Sequence, residues 1–379
     1  MTKADKEGQK KTPILRFKGF TDDWEQRKLE NLGNIRTGNT PSKSHTKYYS
    51  SNNGKESIPW VTPTDINSEY TTQTNLYLTS EGQKYARIVP PDTLLMTCIA
   101  SIGKNTISTD VSGFNQQINA IIPNDKSNIR FLYFISFKIS KYMNKIAPAG
   151  MMPIINKTEF SKIKVYIPVI NEQNKISNLM EKLNYLLTLY ERKYQLYLLQ
   201  FQKLQRVIFD NSDDFISLSY LIEIKTGNRN SQDNVKNGKY VFFDRSTEIK
   251  RLNEFDFDEE AIIIPGEGTK FAPKYINGKY ALHQRSYSLY NFSQEIDSKY
   301  LYYFLMTQSN TLLRYSVGTT VPSLRVSTFD HIKVPMYSKE LQIKYALTFD
   351  SLEKLMNQIK KKTNILRSLK RFLLQVLFL

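Results

Sequence analysis

The sequence contains two copies of one ordered set of short motifs. Residues 35–42 (IRTGNTPS) return 189 positions later as residues 224–231 (IKTGNRNS). Four further matches follow in the same order and at a nearly constant spacing: 114–117 with 282–285, 132–134 with 301–303, 160–165 with 329–334, and 204–209 with 373–378. Because five ordered matches at such a spacing rarely arise by chance, the pattern predicts a duplicated fold. The first copy has about 20 additional residues between its first two motifs.

Each copy combines a mixed domain with a long helix. The apolar runs at 93–99 and 261–264 favour strands, and residues 129–146 and 298–315 favour helices. Turn-forming residues occur between these elements, at 52–54, 90–91, 237–238 and 277–278. The predicted fold class is α/β or α+β, with two tandem globular domains that are each followed by a helix. The predicted organisation is a polar N-terminal segment 1–20, a first domain 21–168, a central helix 169–211, a second domain 212–337 and a C-terminal helix 338–379.

The two long helices share one heptad frame. Residues 172–209 contain neither Gly nor Pro and would form a helix of roughly 55 Å, at ~1.5 Å per residue. The first seam position is occupied by Leu183, Tyr190, Tyr197 and Leu204, and by Leu352, Ile359, Leu366 and Leu373. The second is occupied by Leu186, Lys193, Gln200 and Val207, and by Leu355, Lys362, Leu369 and Val376. This period favours a coiled coil between the helices, in which a polar seam residue fixes the register; an ordinary amphipathic core helix is the alternative.

Composition narrows the class of protein. The chain has 53 Lys and Arg against 36 Asp and Glu, a net charge of +17, and nucleic acid is the first candidate partner for such charge. The single Cys98 excludes a disulfide scaffold and, with three scattered histidines, cannot build a Cys/His zinc site. No stretch approaches the roughly 18–20 apolar residues of a membrane span, and the polar N-terminus lacks the apolar core of a signal peptide. We therefore expect a soluble, cytoplasmic protein with no membrane partner.

The duplication itself suggests how such a chain could bind DNA. Two like units that pack about a pseudo-twofold axis would make the long helices antiparallel and would place the domains at opposite ends of a rod. Major-groove segments one turn apart are roughly 34–36 Å from each other, so two domains at such a spacing could contact two half-sites on one duplex. Because the two domains differ in loop length and in most residues, we expect two different short sequences and not a palindrome.

Several motifs along the chain resemble a known family. They are, in order, 24–29 (WEQRKL), 38–42 (GNTPS), 58–61 (IPWV), 101–104 (SIGK), 115–117 (NQQ), 167–168 (IP) and 172–176 (EQNKI). In this order they resemble the specificity (S) subunit of type I restriction–modification systems, over nearly the whole chain from about residue 20. The second copy departs from this pattern: residues 213–215 (DDF) replace the opening around Trp24, and residues 340–343 (ELQI) stand where copy one has EQNK.

The resemblance implies a chain without catalytic activity or bound cofactor of its own. It implies two target-recognition domains on an antiparallel helical spacer, which read a bipartite, asymmetric target in double-stranded DNA. The implied partners are two modification subunits, which methylate adenine with S-adenosylmethionine, and restriction/translocase subunits, which use ATP and Mg. In agreement, the sequence has neither a methyltransferase cofactor loop nor a phosphate-binding loop. The alternative from another class is a non-catalytic basic scaffold that binds nucleic acid non-specifically.

Three pairs of loops carry the side chains expected to contact DNA. Arg, Asn and Gln can form paired hydrogen bonds with bases, whereas Lys, hydroxyls and loop N–H groups suit phosphates, which a Gly lets the backbone approach. The first pair comprises Arg36, Thr37, Gly38, Asn39, Lys43 and Lys47, and Lys225, Thr226, Gly227, Asn228 and Arg229; the second comprises Asn115, Gln116 and Gln117, and His283, Gln284 and Arg285; the third comprises Met151 and Met152, and Thr319 and Thr320. A plain tight turn, for the first pair, and a solvated polar face, for the second, are the alternatives.

Two charged segments need separate interpretations. Residues 354–371 contain seven basic and no acidic side chains, which would suit DNA, a partner subunit or solvent. Residues 254–260 carry five carboxylates, for which we expect a solvated loop before the strand at Ile262 and not a metal site. Cys98 lies in an apolar run and is expected to be unreactive core.

Overall fold

A computed structural model describes residues 12–42, 44–147, 153–246 and 248–378. The chain divides into two compact units, residues 1–188 with 364–379 and residues 189–363. Each unit contains one copy of the repeat and a part of both long helices. The predicted fold class, two tandem mixed domains each followed by a long helix, is confirmed. Within the described residues, no helix combines the length and apolarity that crossing a bilayer requires.

The first unit is built from short strands, one long internal helix and the beginning of the central helix. Its elements are β1 Glu25–Lys28, β2 Gly33–Thr37, β3 Tyr49–Ser50, β4 Ile58–Val61, β5 Tyr70–Thr71, β6 Leu76–Leu78, α1 Ser80–Gln83, β7 Ile88–Val89, β8 Leu94–Thr97, β9 Asn105–Ser108, β10 Ser112–Phe114, β11 Ile118–Pro123, α2 Ile129–Ile146, α3 Lys157–Lys162, β12 Lys164–Ile167 and α4 Ile170–Phe209. Short 3-10 helices occupy Leu29–Asn31 and Thr46–Tyr48.

The strands of the first unit form a central sheet, a second sheet and a pair. The orders are β2-β11-β8-β9-β5, β3-β6-β4-β10-β7 and β1-β12. Helix α2 has the predicted bounds and is capped by Asn128, whose side chain accepts from the N–H groups of residues 130 and 131. Its apolar face, including Phe131 and Ile135, joins Leu94 and Met96 of β8 in the main core.

The second unit has one large sheet. Its elements are β13 Phe215–Ser217, β14 Glu223–Thr226, β15 Tyr240–Phe243, β16 Lys250–Leu252, β17 Phe257–Pro265, β18 Lys274–Leu282, β19 Ser286–Tyr290, α5 Ser298–Leu305, α6 Ser309–Arg314, β20 Lys333–Pro335 and α7 Lys339–Val376, with 3-10 helices at Leu218–Tyr220, Ser231–Asp233 and Val326–His331. The sheet order is β14-β19-β17-β18-β15-β16, beside the pair β13-β20. The helix predicted over 298–315 is two helices, and the turn predicted at 277–278 is wrong because Asn277 and Gly278 pair within β18 with β17.

Strand register confirms the duplication residue by residue. In the first unit Thr37 pairs with Asn119, and in the second Thr226 pairs with Tyr287, which reproduces the spacing between the repeated motifs of the sequence. The outer pair repeats in the same way, since Arg27 opposes Val165 as Ile216 opposes Val334. The additional residues of the first copy lie in the segment that forms the second five-stranded sheet.

A buried glutamine starts each long helix in the same way. Gln173 accepts from the Asn128 N–H (2.9 Å) and donates to the carbonyls of Lys126 and Pro168. Gln342, its counterpart in the second copy, accepts from the Asp297 N–H (2.8 Å) and donates to two equivalent carbonyls. The motif at 340–343 therefore keeps its essential residue, although its neighbours differ.

Of the two predicted seam positions of the long helices, the first is confirmed and the second is wrong. The first seam position lies on the buried side of both helices: Leu183, Ile359 and Leu373 are buried, and Tyr190, Tyr197, Leu204, Leu352 and Leu366 are half-buried. The predicted second seam position lies one residue before the buried one over most of the helices. Its exposed members are Leu186, Lys193, Gln200 and Val207, and Leu355, Lys362 and Leu369. Val376 alone of the predicted set is buried. The buried or half-buried residues at that seam are Leu187, Tyr194, Phe201 and Ile208, and Met356, Thr363 and Lys370. Both spacings give the same heptad period, so periodicity alone could not separate them.

The two helices run antiparallel within the second unit. Tyr190 of α4 lies 6.0 Å from the ammonium of Lys362 of α7, whereas Phe201, further along α4, has its ring centre 5.2 Å from that of Phe349, earlier in α7. The lysine predicted at the seam therefore covers a seam tyrosine from outside. Within the first unit, Ile176 and Met180 of α4 share a core with Leu373 and residues following it.

Candidate nucleic-acid interface

The motif loops of the first domain meet at one edge of the central sheet. Strand β2 ends at Thr37, opposite Asn119 of β11, and β8 ends at Thr97, opposite Ile118. The loop after β2 and the loop before β11 are joined through backbone, because Gly38 N–H donates to the Ile118 carbonyl at 3.0 Å and Asn39 N–H donates to that of Phe114 at 3.2 Å. Residues 36–39 and 115–117 therefore form one continuous surface.

Each motif glycine is required by this loop contact. A Cβ at Gly38 would lie 2.0 Å from the Asn115 carbonyl oxygen, and one at Gly227 would lie 1.8 Å from that of Leu282. In the second domain the Arg229 N–H donates to the same Leu282 carbonyl at 3.2 Å. The glycines are thus explained by close approach to another backbone segment of the protein, which the sequence did not indicate.

Several predicted side chains of the first domain hold the loops together. Thr37 Oγ1 donates to Asn119 Oδ1 (2.6 Å), and Asn39 bridges the Tyr85 carbonyl and the Arg87 N–H (2.7 and 2.6 Å). Asn115 Oδ1 accepts from the Gln117 N–H at 3.0 Å. Their hydrogen-bonding groups are largely satisfied within the protein.

Other predicted side chains of this domain remain exposed. Arg36 donates one N–H to the Ile88 carbonyl (3.2 Å), and Lys47 lies 3.7 Å from Glu81. Gln116 is exposed and bonded to Thr40. Lys43, Met151 and Met152 lie outside the described residues. Arg36 and Gln116 therefore present side chains to solvent at this surface.

The sequence reasoning missed two cations at this edge. Arg87 is exposed and donates to the Thr37 carbonyl at 2.6 Å, and Lys104 is exposed and donates to the Pro63 carbonyl at 3.0 Å. Within the described part of the chain, neither they nor Arg36 pair with a carboxylate. Lys104 belongs to the SIGK motif and could have been selected from it, whereas Arg87 has no signal in the repeat.

In the second domain the motif cations Lys225, the counterpart of Arg36, and Arg229, the counterpart of Thr40, are paired with carboxylates. Lys225 Nζ lies 2.5 Å from Glu259 and between the rings of Phe257 and Tyr290. Arg229 directs Nε and Nη2 to Asp256 (2.8 Å each) and Nη1 to Glu254 at 3.0 Å. These contacts use every nitrogen of the guanidinium.

The acidic segment is not the solvated loop that we expected. Asp258, Glu259 and Glu260 lie in β17, and Asp256 immediately before it has a side chain only 10% exposed. Glu254, Asp256 and Glu259 pair with the motif cations, Glu260 accepts from Tyr275, and Asp258 lies 3.9 Å from Lys279. Among the described residues, no group of His, Cys, Asp or Glu could hold a metal ion.

The second motif of this domain has one buried and two exposed side chains. His283 is 4% exposed, and its Nδ1 accepts from the Arg285 N–H at 2.9 Å. Burial lowers the pKa of His283, and the charges of Arg245 and Arg285 lower it further, so the ring is neutral as an acceptor requires. Gln284 is exposed and donates to Asn230 at 2.8 Å. Thr226 and Asn228 are exposed beside it.

The third loop of this domain lies against the loop that follows β17. Val317 and Ser323 form a bridge, and the Leu324 N–H donates to the Gly266 carbonyl at 2.8 Å. Thr319 and Thr320 at its tip are exposed. The corresponding contact in the first domain joins Ile99 to Ile154, so this loop pair is also part of the repeat.

Cys98 lies at this edge as a buried thiol. Its side chain is 2% exposed, and burial raises the pKa of the thiol to about 12. A thiol with such a pKa is uncharged at neutral pH and is a poor nucleophile.

Comparison with known proteins identifies the family. The family model described as "Type I restriction modification DNA specificity domain" matches residues 21–196 and again 214–367. The chain belongs to this family. The two matches repeat the duplication seen in the sequence and in the strand register.

The relatives of this family member are specificity subunits. The HindI specificity subunit of Haemophilus influenzae is 32% identical over 170 residues, which are 42% of this chain and 36% of that protein. The MjaIX specificity subunit of Methanocaldococcus jannaschii is 24% identical over 93% of this chain and 92% of its own length. The crystal structure of a type I S subunit from M. genitalium has the same fold, with a TM-score of 0.68, 16% identity and coverage of 97% and 99% of the two chains.

Proposed function

We propose that this chain is the specificity subunit of a type I restriction–modification complex. Each domain contacts one half of a bipartite, asymmetric target in double-stranded DNA, and the long helices set the number of base pairs between the halves. The chain supplies recognition and no catalysis. Two modification subunits supply adenine methylation with S-adenosylmethionine, and restriction/translocase subunits supply ATP- and Mg-dependent chemistry.

One observation carries the proposal: in both domains the same loops converge on the same edge of the sheet. The scaffold is repeated to the register of its strands, while the exposed side chains on it differ. Arg36 and Arg87 offer guanidinium groups that pair with no carboxylate of the described residues, whereas Lys225, the counterpart of Arg36, and Arg229 are paired with carboxylates in the other domain. A common scaffold with different exposed groups is what two different half-targets require.

The first experiment maps the methylated bases. The chain is expressed with its modification subunits in a cell without other adenine methyltransferases, and methyladenine is located by sequencing. We expect one motif made of two short, dissimilar sequences at a fixed gap. Absence of any motif, or a single continuous palindrome, would contradict the proposal.

The second experiment tests the candidate surface with a matched pair of variants. Arg36→Ala removes an exposed arginine at the interface, and Arg27→Ala removes one on β1 that pairs with Glu25. If Arg36 contacts a phosphate, the log–log salt slope of duplex binding should fall by about 1 for Arg36→Ala. Arg27→Ala should bind like the wild type.

The same binding assay tests the alternative of a non-specific scaffold, which the net charge of +17 alone would allow. A specificity subunit in complex with its modification subunits should retain the mapped target in excess competitor DNA. Equal binding to duplexes with and without the target would favour the scaffold.

A further inference from the structure

Two arginines of the second domain share one carboxylate at the interface edge. Glu267, in the loop after β17, accepts from Arg245 Nη1 at 2.5 Å and from Arg285 Nη1 at 2.7 Å. Its side chain is 16% exposed, whereas those of Arg245 and Arg285 are 43% and 58% exposed. The guanidinium groups therefore reach solvent from a carboxylate that is largely buried.

The backbone around this cluster is fixed from both sides. The Arg285 N–H donates to His283 Nδ1, and its carbonyl accepts from the Gly266 N–H, both at 2.9 Å. Glu267 also forms a bridge with Ser323, at the base of the loop that carries Thr319 and Thr320. Arg285 thus extends from a short turn whose backbone is held by hydrogen bonds on both sides, and its side chain is restrained by the bond from Nη1 to Glu267.

Arg285 has unpaired N–H donors among the described residues, whereas the guanidinium nitrogens of Arg229 are all bound. All three nitrogens of Arg229 are bound to carboxylates, whereas Arg285 bonds the described residues through Nη1 alone. Its Nε and Nη2 groups form a second edge of the guanidinium, with two parallel donors.

We propose that Arg285, held by Glu267, reads a guanine in the half-target of the second domain. Guanine presents two acceptors, O6 and N7, in the major groove, and a guanidinium edge with two free donors matches them. Glu267 is a positioning residue: it orients Arg285 through Nη1 and leaves the other edge for the base. This inference rests on the proposed function, because it assumes that the second domain reads one half-target.

The electrostatics of Glu267 agree with this role. Burial opposes its ionisation, but the hydrogen bonds and charges of Arg245 and Arg285 outweigh burial and lower its pKa. The carboxylate is therefore charged at neutral pH, and two arginines against one glutamate leave a net positive charge at the edge.

The test uses the complex with modification subunits and three variants. Arg285→Ala removes the reader, Arg285→Lys keeps the charge without the two-donor edge, and Glu267→Gln removes the charge that orients it. Arg251→Ala is the matched control, because the Arg251 side chain in β16 bonds the carbonyls of Gly238 and Lys239, which precede β15, whereas Arg245 follows that strand. Binding is measured on duplexes that carry each substitution of the second half-target, together with methylation mapping in cells.

We expect Arg285→Ala and Arg285→Lys to lose the preference for one G·C pair, by about tenfold or more, at one position only. Arg285→Lys should keep the salt slope, and Glu267→Gln should relax the same position with overall affinity retained. Arg251→Ala should keep the wild-type target.

Two results would overturn the inference without touching the proposed function. If Arg285→Lys keeps the full wild-type base preference, Arg285 contacts a phosphate and not a base. If Arg285→Ala keeps the wild-type preference at every base pair of the half-target, Arg285 does not contact the DNA. Failure of the wild-type complex to show a bipartite target would instead contradict the proposed function itself.

Discussion

The contact between the motif loops predicts that Gly38→Ala will damage the first domain. The new methyl group would lie 2.0 Å from the Asn115 carbonyl oxygen and 2.4 Å from that of Phe114. Real Cβ atoms essentially never approach heavy atoms closer than 3.0 Å, so one loop must move by about 1 Å. The two carbonyls belong to backbone, and no side-chain rotation can relieve the contact.

The magnitude follows from what this movement breaks. Overpacking costs about 1–3 kcal/mol, and weakening the hydrogen bonds from the Gly38 and Asn39 N–H groups adds about 0.5–1.5 kcal/mol each. These contributions add up to about 2–6 kcal/mol, and the central value of about 4 kcal/mol corresponds to a fall in melting temperature of about 8–16 °C for a domain of this size. Because the displaced loops carry Arg36 and Gln116, one half of the methylation target should also lose its definition.

The assay is thermal unfolding of the complex together with methylation mapping. Gly54→Ala is the control, since the nearest atom to its Cβ would be Ser57 Oγ at 3.7 Å, which is ordinary contact. The reasoning is refuted if Gly38→Ala melts within about 1 °C of the wild type and methylates the same sites. It is also refuted if Gly54→Ala is equally destabilised.

Three further predictions concern the second unit. Gln342→Leu should lower the free energy of unfolding by about 2–4 kcal/mol because it leaves buried backbone groups unpaired, whereas exposed Gln358→Leu should change thermal stability little. Phe349→Ala should cost about 3–5 kcal/mol in denaturant unfolding, against little for Phe372→Ala, which is 53% exposed; equal values would refute the helix packing described here. Since the folded state lowers the pKa of His283 below its ordinary 6.5, its neutral form should stabilise the domain above that pH and the benefit should be lost as the pH falls below it. Wild-type stability should therefore fall relative to His283→Asn between about pH 7 and 5, and parallel melting curves would contradict this.

The motif residues show how far a repeat can take an assignment of function. Matching TGN motifs placed two loops at equivalent positions, and the structure brings each beside its second motif. Equivalent position did not mean equivalent role, because Arg36 reaches solvent while its counterpart Lys225 pairs with Glu259 of the separate strand β17 and lies between two aromatic rings. The sequence shows which side chain stands at a position, but the carboxylate that pairs with it can come from a strand far away in the sequence.

The helices show the same limit for packing. A heptad period was readable from Leu183, Tyr190 and Tyr197, which lie on the buried side. The companion position could be read as Lys193 or as Tyr194, and only packing against the partner helix decides between neighbours separated by about 100° around the helix.

By itself the sequence determined the duplication, the mixed domains, the long helices and the resemblance to specificity subunits. These features follow from the order and spacing of the motifs and from the period of the apolar residues, which can be read from the sequence without a folded structure. Tertiary structure alone decided which glycines face another backbone, which cations are neutralised and that Glu267 joins two arginines. Those properties depend on residues far apart in sequence and close in space, and strand pairing, not spacing along the chain, brings them together.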